Sequence, residues 1–378
     1  MIDQAAFIDA LRAAHKGAMT GTPPDLHRLA GAISAAPIYA GGAQPTLTAG
    51  TMTLWLRPEM LADKAYPYAL ERSADEAFRA VVSFLGASSI RVRFSLLLRG
   101  IATRAPLDLG NGWAAHPPAL RTDPQLAHIP DSTRPVSPEY CMILTSTKDL
   151  APTRGRWDLS ALPMSSEHED EFLDAIRILS LTSTTGINRE AAWTELADPR
   201  FEALIKIGAG VSFHHEEAPF MGPPPPGPAS AFQQLLQSLS RLPEKSRNRL
   251  RSALDRLNSG FRRHTPGDKA LDASIALETA VGTADGHGEI TYRLRLRAAL
   301  ILGGSLGDRV NVWKATNKLY ALRSAVVHRG GVTGRAAAGD EARAGLDVAA
   351  KVIRRLIEIG DVPDWSVVEL SGGLPGSQ

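Results

Sequence analysis

Cysteine is nearly missing from this chain: Cys141 is the only one in 378 residues. A lone thiol excludes an internal disulfide framework and a thiolate-held metal cluster. Cys141 sits in the apolar run Tyr140-Cys141-Met142-Ile143-Leu144, where an inert buried side chain is expected. Long apolar runs are missing too. No window reaches the roughly eighteen consecutive apolar residues of a membrane span. The start, Met1-Ile2-Asp3-Gln4, has no basic stretch leading into an apolar one, so a cytoplasmic protein without a membrane partner is expected. Leu302-Gly303-Gly304-Ser305-Leu306-Gly307 is glycine-rich, yet it lacks the following lysine of a P-loop and the strand-to-helix setting of a dinucleotide fold, which argues against ATP-driven chemistry. The acidic run Glu167 to Glu171 and the stretch Phe213-His214-His215-Glu216-Glu217 find no matching ligand cluster elsewhere. No metal or other cofactor is expected.

What is present is the composition of a globular protein, 44% hydrophobic and 22% charged, at a length that fits two or three domains. A net charge of +2 conceals an asymmetry. Residues 244–361 carry 21 basic and 13 acidic side chains, a net +8, against 21 and 27, a net −6, in the remainder. A basic C-terminal region is what a phosphate-rich partner needs, because each neutralised phosphate releases counterions.

The clearest boundary is Gly222-Pro223-Pro224-Pro225-Pro226-Gly227-Pro228, whose prolines lack amide donors and favour extended chain, so 222–228 reads as a linker. Before it, Ala5 to Ala14 and Ala74 to Leu85 pattern as helices. Thr46 to Leu56, Ser89 to Leu98 and Tyr140 to Thr147 pattern as strands, and proline-rich Gly110 to Pro138 as a long loop. Residues 1–165 are therefore expected to be an α+β domain, and 166–221 a helical connector, with helix across 166–207. After the linker the chain turns mostly α. Helices are expected over Ala231 to Leu242, Glu244 to Arg263, Asp308 to His328 and Asp340 to Ile359. Another starts at Thr265-Pro266-Gly267-Asp268, where an N-cap, a proline at the first helical position and an acid at the third coincide. Ile290 to Arg297 alternates like a strand, whereas Ala298 to Leu302 favours a helix. The domains read as 1–165, 166–221, 222–228 and 229–361, followed by a tail over 362–378.

The chemistry concentrates near the end of the predicted 308–328 helix, in Tyr320-Ala321-Leu322-Arg323-Ser324-Ala325-Val326-Val327-His328-Arg329. Arginine and histidine five residues apart form the R-x4-H pattern of ribonuclease-type sites. RNA can be cut without a metal, because its 2′-OH is itself a nucleophile. The protein must supply a base for that hydroxyl, an acid for the leaving oxygen and positive charge for the transition state. Histidine suits the proton transfers and arginine the phosphate. Five residues at about 100° each set the two side chains roughly 140° apart around a helix, so one copy of the chain is an awkward catalyst. Glu278 falls on the apolar stripe of its helix and needs a partner, which Arg297 or Arg323 could supply. It either orients an active-site arginine or forms an ordinary buried ion pair. Asp272 reads as solvent-facing or as a brace between helices.

Three blocks carry a family resemblance: Pro266 to Glu278 with its Ile275-Ala276-Leu277-Glu278 end, Leu296 to Gly303, and Leu319 to Gly330. Across 244–361 the chain resembles the ApeA-like HEPN family (higher eukaryotes and prokaryotes nucleotide-binding domains). The resemblance implies an all-α HEPN bundle, with 290–302 helical, and a metal-independent endoribonuclease that leaves a 2′,3′-cyclic phosphate. It further implies a homodimer in which two Arg-His pairs line one cleft, acting on RNA such as tRNA, in antiphage defence or a toxin-like stress response with a phage-derived or cellular trigger. By motif position it implies Arg323 and His328 as catalytic, with Glu278, Ser324 and Tyr320 in support, and Arg293, Arg297 and Arg329 of the basic region are expected to meet RNA. Arg329 is a departure, since many relatives have glycine directly after the histidine. Two other readings stay open: a non-catalytic RNA- or nucleotide-binding HEPN protein, and a structural dimerisation module in which the Arg-His pair merely packs.

Overall fold

Local sequence starts the first helix. Asp3 accepts from the backbone N–H groups of Ala5 and Ala6, donors that a helix start leaves unpaired. Helix α1 (Gln4–Met19) then buries Phe7, Ala10, Leu11 and Ala14 along one face. Helix α1 packs on α2 (His27–Ser34) and α4 (Ala74–Leu85), and α3 (Pro58–Glu71) packs on α2 and α4. Ser73 caps α4 by accepting from Glu76 N–H at 3.2 Å. Strands β1 (Thr46–Ala49) and β2 (Met52–Trp55) pair as a separate antiparallel ribbon. The computed structural model describes residues 2–20, 24–37, 46–49, 52–55, 58–87, 89–118, 141–150, 166–198, 212–213, 229–282, 290–329 and 337–374. The fold is mostly α with a smaller antiparallel β component.

That component is a six-stranded sheet ordered β4-β5-β6-β3-β7-β8, with β3 (Ile90–Arg99), β4 (Leu107–Gly110), β5 (Trp113–His116), β6 (Cys141–Leu150), β7 (Asn188–Leu196) and β8 (Ser212–Phe213). Central β3 pairs with β6 on one side and β7 on the other. Val92, Phe94, Leu96 and Leu98 join the main core, whereas Leu97 joins Cys141, Ile143, Ala191 and Trp193 on the opposite face. A strand buried on both faces loses strict alternation, which is why Leu96-Leu97-Leu98 reads as one run. Helix α5 (Ser166–Ser183) covers the main-core face, with Phe172 edge-on to Trp113 at 4.9 Å and to Phe94 at 6.1 Å between ring centroids.

Three expectations need correction here. The stretch expected as loop from Gly110 contains β5. Residues 188–196, expected as helix, form β7: their alanines and glutamates favour helix, but pairing along β3 decides the conformation. The region expected to be a connector therefore supplies a covering helix and a strand to the sheet. The 222–228 linker and His214 and His215 lie outside the described residues.

Helix α6 (Ala229–Arg241) packs on α5 and β4, and helix α7 (Glu244–Arg262) joins this layer to the helices that follow. Asp174 of α5 accepts from Arg177 at 2.8 Å and from Arg251 of α7 at 2.7 and 2.9 Å. Asn258 clasps the backbone before β7, accepting from Ile187 N–H at 2.8 Å and donating to its carbonyl at 3.0 Å. Beyond α7 lie α8 (Pro266–Val281), α9 (Ile290–Leu302), α10 (Leu306–Arg329), α11 (Ala338–Ile359) and α12 (Trp365–Ser371). Thr265 caps α8 as the sequence predicts, accepting from Asp268 N–H at 3.1 Å, while its hydroxyl donates to the Asp268 carboxylate at 2.7 Å. Helix α8 contacts α7, α9, α10 and α11. Residues 290–302 are helix, not strand. Helix α12 corrects the expectation of a tail: Trp365 and Val368 are buried, and Asp364 caps it at 2.8 Å.

Replacing Asp174 with alanine removes the buried carboxylate that two arginines share and leaves them only the exposed Asp255 and Asp170. We expect a loss on the order of 3 kcal/mol in denaturant unfolding, against under about 1 kcal/mol for Asp255→Ala at the exposed end of the network. Burial, reinforced by the charge of Glu190, pushes the Cys141 thiol up to about 12. A thiol-reactive dye at neutral pH should label Cys141 only on unfolding, so labelling of the folded chain would contradict this placement.

Candidate functional site

Helix α10 begins with a reciprocal cap. Ser305 Oγ accepts from Asp308 N–H at 3.2 Å, and Ser305 N–H donates to the Asp308 carboxylate at 3.0 Å. Leu319, Tyr320, Leu322 and Ala325 are buried along its inner side, whereas Ala321, Ser324, Val327 and His328 are exposed. Arg323 lies on the border between these faces, its side chain 38% exposed. The Arg-His pair is thus presented by one helix, with Ser324 beside it on the outer face.

Glu278, near the C-terminus of α8, meets Arg323 Nη2 at 3.5 Å. Of the two arginines the sequence offers as its partner, the fold selects this one. The guanidinium carbon of Arg323 lies 5.9 Å from the Tyr320 ring centroid, within cation–π range. Burial first, and then the charge of Glu278, pushes the Tyr320 phenol well above its ordinary value, with Arg323 opposing. Glu278 is close enough to exert that effect but falls short of a well-formed hydrogen bond. Among the described residues, Tyr320 Oη and Arg323 Nε are buried polar atoms with no hydrogen-bond partner. Unmade bonds of this kind cost about 1–3 kcal/mol each, and both atoms are shielded from solvent.

His328 is exposed in the last turn of α10, and no hydrogen bond or ion pair to it occurs among the described residues. The side chain of Arg329 lies outside the described residues. Arg293 is exposed on α9. Arg297, expected to meet RNA, is only 4% exposed. Its Nε donates to Glu369 of α12 at 2.6 Å, its Nη1 donates to the Val281 carbonyl at 2.9 Å, and its guanidinium carbon lies 5.3 Å from the Trp365 ring centroid. It therefore caps the C-terminal carbonyls of α8 rather than facing solvent. Arg249 does the same, donating to the Thr279 carbonyl at 2.5 Å and to that of Gly282. Asp272 is buried and bound by Arg263 at 2.7 Å and Arg256 at 3.6 Å, so of its two readings the brace holds.

Sequence reasoning passed over Tyr292, Arg295 and Trp313, which meet where α9 and α10 face one another. The available signal was arginine alternating with apolar residues in Tyr292-Arg293-Leu294-Arg295. Among the described residues, no group of three or more His, Cys, Asp or Glu side chains could hold a metal ion, and no helix is long and apolar enough to cross a membrane.

A phenol held neutral by its surroundings ties stability to pH. Above the unfolded value near pH 10, the native state keeps a proton that the unfolded chain has lost, so this share of stability is full below about pH 10 and falls as pH rises further. Between about pH 8 and about pH 11, wild type should lose more stability than Tyr320→Phe in denaturant titrations. Equal losses would mean that the phenol is not held in this way.

In comparison with known proteins, no family model matches this chain, and neither a curated protein nor a solved structure matches it.

Proposed function

We propose that this chain is a metal-independent endoribonuclease of the HEPN type, with α7 to α11 as the HEPN bundle and two copies pairing so that two Arg323-His328 sets line one cleft. The observation that carries the reading is Arg323: a half-exposed guanidinium steered by Glu278, on the same helix as a solvent-facing histidine. The resemblance of three sequence blocks to ApeA-like HEPN proteins, one of them holding Arg323 and His328, also supports it.

The chemistry follows from these groups. A histidine takes the proton of the ribose 2′-OH as O2′ attacks the adjacent phosphorus. A second histidine, supplied by the other copy, gives a proton to O5′ as the P–O5′ bond breaks. The products are a 2′,3′-cyclic phosphate and a 5′-hydroxyl. Arg323 balances the charge gathering on the phosphoryl oxygens, and a fork of donors fits that task better than an ammonium. Glu278 holds the fork in place, while Ser324 and Tyr320 border it. Arg293 is placed to meet the RNA backbone. The N-terminal helices and sheet would restrain or direct the nuclease, acting in antiphage defence or a toxin-like response, a role that rests on the resemblance alone.

Wild type, His328→Ala and Arg323→Ala are to be incubated with total RNA and tRNA in EDTA, and fragment ends examined. We expect cleavage by wild type with cyclic phosphate ends. Losses of about 100- to 10,000-fold are expected in His328→Ala and about 100- to 1,000-fold in Arg323→Ala. Undiminished cleavage by His328→Ala, or cleavage only with added metal, would overturn the assignment. Sedimentation of the full chain tests the pairing.

A further inference from the structure

A surface on the N-terminal side of Arg323 combines rings and positive charge. Tyr292, 46% exposed, stands edge-on to Trp313 at 5.1 Å between centroids and 77° between planes. On Trp313 lies Arg295, its guanidinium carbon 4.7 Å from the ring centroid. Arg295 is held from both helices: Nε donates to the Thr291 carbonyl at 3.0 Å and Nη1 to Asn317 Oδ1 at 2.5 Å. Arg293 and Lys314 are exposed beside this group. Residues 290–318 contain six basic side chains and one acidic one, Asp308. Asp308 is engaged in the cap of α10, Arg297 is paired with Glu369, and Lys318 faces Glu341 at 3.6 Å.

We propose that Tyr292, Arg295 and Trp313, with Arg293 and Lys314 at their margin, form a stacking platform for single-stranded RNA. This names the substrate class of the site proposed above and rests on that reading. A ring on a basic surface suits unpaired bases, because every base offers a π-face and the cations follow the phosphates. Duplex RNA keeps its base faces inside the helix, so the same surface offers it phosphate contacts alone. Position agrees. Trp313 and His328 lie fifteen residues apart on α10, about 22 Å along its axis and within about 60° around it. A strand seated on the exposed Tyr292 and the partly exposed Trp313 would reach the Arg323-His328 region after several nucleotides, at roughly 3.4 Å for each stacked one. An acidic protein partner would use the cations but would not need the rings, which favours RNA. The plain alternative is that Tyr292 and Trp313 only pack α9 on α10.

The test measures affinity by fluorescence anisotropy with labelled polyadenylate and a labelled RNA duplex, in full-length chain carrying His328→Ala so that RNA stays intact. Trp313→Leu keeps apolar bulk and removes the ring; Trp313→Phe keeps a ring. We expect Trp313→Leu to bind the single strand about 5- to 100-fold more weakly, Trp313→Phe to retain most of the affinity, and duplex binding to change little in either. Arg293→Glu should lower the slope of log affinity against log salt by about 0.7 or more, whereas Arg12→Glu on α1 should not. Should Trp313→Leu fail to melt as a folded protein, Tyr292→Leu and Arg293→Glu at exposed positions decide the matter. Unchanged single-strand affinity in folded variants, or equal losses for duplex, would overturn the platform. So would altered sedimentation without altered RNA affinity, which would assign the face to a protein partner. Cleavage by wild type with no loss of affinity in the variants leaves the nuclease standing without the platform. Ring-dependent binding without any cleavage leaves the platform without the nuclease.

Discussion

Close packing around α8 is the constraint on which the C-terminal half depends. Many of its inward positions are small: Gly267, Ala270, Ala273, Ala276 and Ala280 are all buried, beside the larger Leu277 and Val281. Short side chains let neighbouring helices approach toward the near end of the usual 8–10 Å spacing, and α7, α9, α10 and α11 all touch it. The neighbours reciprocate. A Cβ on Gly260 of α7 would come within 2.6 Å of Leu346, and one on Gly345 of α11 within 2.6 Å of Leu319. In so crowded a setting Asp272 is buried outright, while Glu278 keeps a side chain 30% exposed. Asp272 meets Arg263 and Arg256, and Glu278 meets Arg323. The candidate catalytic arginine is thus held by a partly exposed carboxylate at the rim of this packing.

The same enclosure sorts the arginines. Counted along the chain, residues 244–361 carry a net +8. In the fold, much of that charge is committed internally. Arg249 and Arg297 close the carbonyl end of α8, Arg256 and Arg263 bind Asp272, and Arg251 binds Asp174 across the seam with the sheet layer. A guanidinium held by carboxylates or helix carbonyls contributes little to the field felt by a phosphate outside. Among the described residues, what remains outward on α9 and α10 is narrower than the count implies: Arg293, Lys314, Lys318 beside Glu341 and the half-exposed Arg323, with Arg295 lying on Trp313.

Several elements were legible because their signals are local. Thr265-Pro266-Gly267-Asp268 marks a helix start through its own side chains. Ala74 to Leu85 shows its buried face at helical spacing, and Leu319 and Leu322 show the inward side of α10. The pairing of Glu278 with an arginine was legible too, since a carboxylate on an apolar stripe demands one. Elements whose conformation is decided elsewhere were not legible. Asn188–Leu196 is a strand because β3 offers it an edge, and Trp113–His116 because β6 does. Trp365–Ser371 is anchored through Glu369 to an arginine 72 residues earlier. Arg297 misled for the same reason, as nothing in its neighbourhood along the chain announces that it will cap α8.

By itself, then, the sequence determined a mostly helical C-terminal half, the Thr265 cap of α8, inward faces of several helices, a buried lone thiol and an arginine and histidine together on one helix. These depend on interactions between residues a few positions apart. The tertiary structure alone decided which arginine Glu278 holds, which basic side chains face solvent, which alanine- and glutamate-rich segment becomes a strand, and that Tyr292, Arg295 and Trp313 come together. Each of those depends on which surfaces meet in space, and a side chain's exposure and electrostatic partners belong to that meeting, not to its own position in the chain.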